Sequence, residues 1–188
     1  MQRSATRLEA RTAEASRAQQ SAAKSQREAA ISLQQAELSQ QQTREAQMRA
    51  SKLEKELKDL NAKQTDRGMV ITLGDVLFDT NKAKLRSSST RSLQKLVTFL
   101  NKHPKRMVLI EGYTDSTGSA EYNLALSSRR SYSVQSALMN MGISKDRINT
   151  HGYGLASPVA TNTTAAGRQM NRRVEIVLPD NDNTISKR

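Results

Sequence analysis

Residues 107–142 read MVLIEGYTDSTGSAEYNLALSSRRSYSVQSALMNMG, and the fold is decided there. Met107–Ile110 is a short continuous apolar run, which suits a strand buried on both faces. Thr114–Ser119 (TDSTGS) is a polar loop of small and hydroxyl residues. A helix then begins near Ser119, with Tyr122, Leu126, Val134, Ala137, Leu138 and Met141 on one face. Gly142 stands where a C-capping glycine belongs.

The flanking sequence repeats the pattern. Met69–Phe78 (MVITLGDVLF) reads as a strand kinked at Gly74 and Asp75. Ser87–Ser89 offer caps for a helix carrying Leu93, Leu96, Val97 and Leu100, bounded by Pro104. Arg147–His151 and Val174–Leu178 read as the third and fourth strands. The order β-α-β-α-β-β predicts an α/β two-layer sandwich with two helices on one face of the sheet.

Residues 1–66 are of another kind. All eight Gly, all three Pro and all six aromatics lie at or beyond Gly68. The segment before it is Ala, Gln, Ser, Glu, Lys and Arg with a few Leu, the composition of a long exposed helix. Leu8, Ala15, Ala22, Ala29, Ala36, Thr43, Ala50 and Leu57 recur every seven residues, as in a coiled coil. The stripe is small, and only Leu53, Leu57 and Leu60 look like an ordinary seam. Two readings stand: a self-associating or partner-binding helix, and a lone spacer. Asn61–Gly68 (NAKQTDRG) loses the pattern and reads as a hinge. The expected organisation is a helical segment 1–66, a globular domain 67–180 and a polar tail 181–188.

Charge and composition narrow the function. The net charge is +12, of which residues 1–67 hold +4 and the remainder +8. That surplus suggests a polyanionic neighbour. Nucleic acid fits poorly, because aromatic platforms among the basic residues are lacking. Without Cys there is neither a disulfide framework nor a thiolate metal site. No apolar run approaches the ~18 residues needed to span a bilayer. The opening MQRSATRLEA is not a signal peptide, so an anchor is expected only through a segment absent from this chain. His103 and His151 sit in no catalytic motif, and Gly152-Tyr153-Gly154 lacks the third glycine of a dinucleotide fingerprint. No enzyme, metal or cofactor is expected.

One pair of residues invites chemistry. Asp115 lies in the loop before the second helix, where α/β sheets bind ligands. Arg130, on that helix, interrupts the apolar stripe between Leu126 and Val134. Such an Arg snorkels or meets a carboxylate. The two form either an internal ion pair or a clamp for a zwitterion, with ammonium at Asp115 and carboxylate at Arg130.

The motifs resemble a known family. Gly112-Tyr-Thr-Asp-Ser-Thr-Gly118, Tyr122-Asn-Leu-Ala-Leu-Ser-Ser-Arg-Arg130, Gly152-Tyr-Gly154 with Ser157-Pro158, then Asn162, Gly167-Arg168 and Asn171-Arg-Arg-Val-Glu175, resemble the OmpA-like peptidoglycan-binding domain of OmpA, Pal and MotB. Phe78-Asp-Thr-Asn81 resembles the end of that family's first strand, and the likeness covers roughly 69–179. The resemblance implies an OmpA-like sandwich in a Gram-negative periplasm, associated with the cell wall and outer membrane. It implies non-covalent binding of the meso-diaminopimelate in the peptide stem of peptidoglycan. By position Asp115 and Arg130 match the principal ligand contacts; Asn81, Thr114, Asn123, Leu126 and Arg173 match supporting ones. The family often has His at Tyr113 and Ala at Ser131, which leaves the pocket rim open. Arg168, Asn171 and Arg172 read either as fold-stabilising loop contacts or as ligand contacts. An alternative is a coiled-coil envelope scaffold whose OmpA-like domain binds no ligand.

Overall fold

The computed structural model describes residues 2–74, 77–78, 82–86 and 89–179, the side chains of 2–10 and 13 excepted. The chain divides into two compact units, residues 1–53 and 54–188.

Helix α1 (Gln2–Asp59) contains no Gly or Pro to break it. Its 58 residues extend about 87 Å at ~1.5 Å per residue. Ile31, Leu33, Leu38 and Met48 are exposed on it. None of the four falls on the seven-residue stripe, so these exposed apolar side chains do not reinforce the small seam.

The second unit is built on a five-stranded mixed sheet of order β1-β2-β5-β3-β4. The strands are β1 (Lys63–Thr65), β2 (Gly68–Gly74), β3 (Val108–Gly112), β4 (Ile148–Gly152) and β5 (Arg173–Leu178). Helix α2 (Ser89–Lys102) leads from β2 to β3. Helix α3 (Ala120–Asn140) is the crossover between the parallel pair β3 and β4. The central strand β5 runs antiparallel to β2 and β3 and is buried throughout.

Two elements were not expected. The segment read as a hinge forms β1, which pairs with β2 through Lys63↔Val70 and Gln64↔Met69. Its residues are polar and exposed, so no hydrophobic alternation marks it. Helix α4 (Ala165–Asn171) precedes β5, capped by the Thr164 hydroxyl accepting from the Gly167 amide. Its seven residues bury only Gly167 and Asn171 and carry no apolar stripe. The first predicted strand also ends early, at Gly74; Phe78 makes a separate bridge to Leu85.

The inner face of α3 differs from the expected one. Tyr122 is exposed, and Ala137 and Met141 are only half-buried. Asn123, Leu126, Ser127, Arg130, Ser131, Val134 and Leu138 are buried instead. The sheet explains the serines. A Cβ at Gly112 would collide with the Ser127 carbonyl, and one at Gly152 with the Ser128 hydroxyl. The helix lies so close to β3 and β4 there that only small side chains fit beneath it. At its end Gly142 takes φ +96°, the left-handed conformation that glycine adopts without strain.

Strand alternation sorts the two faces of the sheet. Ile110 and Gly112 face α3; Leu109 and Glu111 face away. On that second face Val70, Leu109 and Val177 form an apolar cluster. Beside it lie two buried carboxylates. Arg67, from the β1–β2 turn, donates Nη1 to Glu111 Oε2 at 2.6 Å and Nη2 to Glu175 Oε2 at 3.1 Å. Burial opposes the charge on Arg67, but the bond to Glu111 and the nearby negative charges of Glu111 and Glu175 together outweigh it and hold the guanidinium more firmly protonated than usual.

Candidate functional site

The site is assembled at the C-terminal end of β3. The Tyr113 amide donates to the Arg173 carbonyl at 2.9 Å, continuing the sheet one residue further. The Thr114 amide donates to the Gly154 carbonyl at 2.8 Å, tying the loop to the end of β4. Asp115 therefore leaves the sheet from a fixed backbone.

Asp115 is 7% exposed. Its Oδ1 accepts from the Thr117 amide at 2.8 Å, and its Oδ2 accepts from Arg172 Nη1 at 2.8 Å. Burial alone would push its pKa up. The Arg172 bond and the Thr117 amide outweigh burial and hold the carboxyl below its ordinary value. The ion-pair partner of Asp115 in the structure is thus Arg172, from the end of α4, and not Arg130.

Arg130 is 1% exposed although it is the largest fully buried side chain described. Its Nε donates to the Lys82 carbonyl at 3.2 Å, and its guanidinium carbon lies 5.1 Å from the centre of the Phe78 ring. Such stacking supports a charge in a dry place. Asn123 and Leu126, three and four residues apart along the same buried face, accompany it. Asn123 Nδ2 donates to the Thr117 carbonyl at 3.0 Å, which joins α3 to the Asp115 loop. The Thr114 hydroxyl is buried without a hydrogen-bond partner among the described residues. Asn81 lies outside the described residues.

Arg173 is placed elsewhere. It sits on the sheet face opposite α3, with Nε on Glu175 Oε1 at 2.7 Å and Nη2 on the Ser157 carbonyl at 3.1 Å. Its guanidinium carbon stacks 3.9 Å from the centre of the Tyr113 ring. Tyr113 stacks in turn on Tyr153, and its hydroxyl donates to Glu111. Ser131 is buried, its hydroxyl donating to carbonyls of the preceding turn of α3.

Two contacts of the site were not expected. Arg172 pairs with Asp115 across 57 positions, and no local signal marks such a contact. Asn162 accepts from the Ser116 amide at 3.3 Å, and its loop is likewise remote in sequence. Both lay within the motifs that carry the family resemblance.

The histidines take part in other contacts. His103 Nε2 lies 2.8 Å from Glu56 Oε2, and His151 packs against the Tyr153 ring. Among the described residues no group of three or more His, Asp or Glu could hold a metal ion. No described helix is long and apolar enough to cross a membrane. A cleft of about 360 Å³ lined by Glu56, Leu60, Lys95 and Phe99 contains none of the site residues.

Comparison with known proteins matches the OmpA family model to residues 77–172. Over 134 residues the chain is 39% identical to the probable lipoprotein YiaD of Escherichia coli, covering 70% of this chain and 61% of that protein. Among solved structures, the peptidoglycan-associated lipoprotein of Burkholderia pseudomallei superimposes with a TM-score of 0.53 at 33% identity, covering 56% of this chain and 90% of that one. The cell wall anchor of the T6SS from Pseudomonas aeruginosa superimposes at 0.56 with 31% identity, covering 68% and 94%. The chain spans less than two thirds of the length of the first curated relatives it matches.

Proposed function

This chain belongs to the OmpA family, and from that premise we propose that it is a non-catalytic anchor binding peptidoglycan in the periplasm. Its similarity to a peptidoglycan-associated lipoprotein and to a cell wall anchor supports this reading. The observation that carries it is one buried carboxylate and one buried guanidinium set on a single strand–loop–helix unit. Asp115 leaves the end of β3, and Arg130 lies on the inner face of the helix that follows.

That pair suits a zwitterion, and the family resemblance implies diaminopimelate. A diaminopimelate side chain ends in an ammonium and a carboxylate on one carbon. Asp115 takes the ammonium, and Arg130 takes the carboxylate through its planar fork. Thr114, Asn123 and Leu126 serve as supporting contacts in this reading, together with Asn81. Arg173, engaged with Glu175, supports the pocket from behind the sheet. Helix α1 serves as a spacer, and the protein is associated with the outer membrane as well as with the cell wall.

Calorimetric titration of a diaminopimelate-containing muropeptide into the full chain tests the proposal, with Asp115→Ala and Arg130→Ala as controls. Saturable binding lost in both variants supports it. Absence of binding, or binding that survives both changes, refutes it.

A further inference from the structure

Both oxygens of Asp115 are engaged inside the protein before any ligand arrives. One accepts from the Thr117 amide and the other from Arg172. An ionised carboxylate offers about four lone-pair positions, so two remain to accept from a primary ammonium, which has three donors. The two internal bonds fix the plane of the carboxyl group and hence the direction of the remaining positions.

Arg172 is itself held by a built segment. The buried Asn171 accepts the amides of Val159 and Ala160 on Oδ1 at 2.8 and 3.0 Å. Its Nδ2 donates to the Ala160 carbonyl and to Asn162 Oδ1, both at 2.8 Å. Asn162 Oδ1 also receives the Ser116 amide, and Arg168 donates to the Asn162 carbonyl at 2.9 Å. A Cβ at Gly167 would collide with the Thr161 carbonyl, so α4 sits tightly against this loop. The segment 157–172 therefore reaches the Asp115 loop twice: at the Ser116 backbone through Asn162, and at the carboxylate through Arg172.

We infer that Arg172 is a positioning residue, which holds the Asp115 carboxylate ionised and aimed at a ligand ammonium without meeting the ligand itself. The inference rests on the reading that Asp115 receives that ammonium. Among the described residues, the charged group in contact with Asp115 is Arg172, from the end of α4. Its own loop presents only neutral Ser116 and Thr117. Loss of Arg172 removes the charge in contact with the carboxylate and leaves burial opposed only by the Thr117 bonds, so the pKa rises.

The test uses the full chain and two readouts. The Asp115 carboxyl carbon is followed by NMR against pH in wild type, Arg172→Ala and Arg172→Lys, with Asp115→Asn assigning the signal. Muropeptide affinity is measured across the same pH range. In Arg172→Ala the carboxyl midpoint should rise by about one pH unit or more. Affinity at neutral pH should fall about tenfold or more, because the carboxyl is no longer aimed. The acid limit of binding should move up together with the midpoint, and Arg172→Lys should restore the midpoint and part of the affinity. Tighter binding in Arg172→Ala would overturn the inference, since Arg172 would then compete with the ligand. An unchanged midpoint with unchanged affinity would overturn it too. If Arg172→Ala does not fold, Arg172→Gln takes its place against Arg172→Lys. Wild type that ignores the muropeptide sinks the peptidoglycan reading alone, because the carboxyl titration still decides the role of Arg172.

Discussion

Replacing Arg67 by Ala probes the charges buried beneath the sheet. Arg67, Glu111, Arg173 and Glu175 form a cluster of two cations and two anions, with no net charge. The Arg67 side chain is 15% exposed, that of Glu111 0% and that of Glu175 7%. Without Arg67, Glu175 keeps Arg173 at 2.7 Å, but Glu111 keeps only the Tyr113 hydroxyl at 3.0 Å. One carboxylate is then buried with no cation in contact. Breaking such a pair costs ~3–5 kcal/mol, and the partial exposure of Arg67 places this case near ~3. For a domain of this size that lowers the melting temperature by about 10 °C. Urea unfolding and calorimetry of the full chain measure it. Arg67→Ala combined with Glu111→Gln should cost less than the two changes added, because the amide removes the stranded charge. A loss below about 1 kcal/mol in Arg67→Ala would mean that the cluster is as well screened as a surface pair, and the reasoning would fail.

Three further outcomes follow from the same geometry. Gly112→Ala should destabilise by about 1–3 kcal/mol in urea, because its Cβ meets the backbone of α3 and not a side chain that can turn aside; a neutral result would contradict the close approach of helix and sheet. The depressed Asp115 carboxyl stabilises the fold fully above its ordinary pKa of 3.8, and this contribution is lost as pH falls through the lower folded value. The urea midpoints of wild type and Asp115→Asn should therefore differ at pH 6 and converge below about pH 4, and a gap that persisted undiminished to pH 2 would refute the assignment. Sedimentation equilibrium of the full chain should give the single-chain mass of 20.9 kDa, since the α1 seam is mostly Ala and Ser and the exposed Ile31, Leu33, Leu38 and Met48 lie off it; twice that mass would make α1 an association element.

The legible parts of the fold were those with their own period. The apolar run at β3, the 3/1/3 spacing of α2 and the stripe of α3 each announce one element. Strand β1 exists only by pairing with β2, and α4 only by packing against its own loop. The polar segments KQT and AAGRQMN cannot carry that information alone. Tyr122 looked like a core residue because it is apolar; Ser127 and Ser131 hold the inner face because Gly112 and Gly152 bring the sheet so near. At the site, Arg130 stood out as a charge on an apolar stripe, and its burial agrees. The partner of Asp115 was hidden, because Arg172 arrives from 57 residues away. Arg173 matched the family pattern by position alone, and position does not reveal the sheet face on which a strand residue stands.

The most direct measurement is the titration of a diaminopimelate-containing muropeptide into the full chain at neutral pH and moderate salt. Saturable binding is expected that tolerates added salt and weakens by about 2–5 kcal/mol in Asp115→Ala and in Arg130→Ala. Heat that vanishes with salt, or binding that both variants retain, would contradict that expectation.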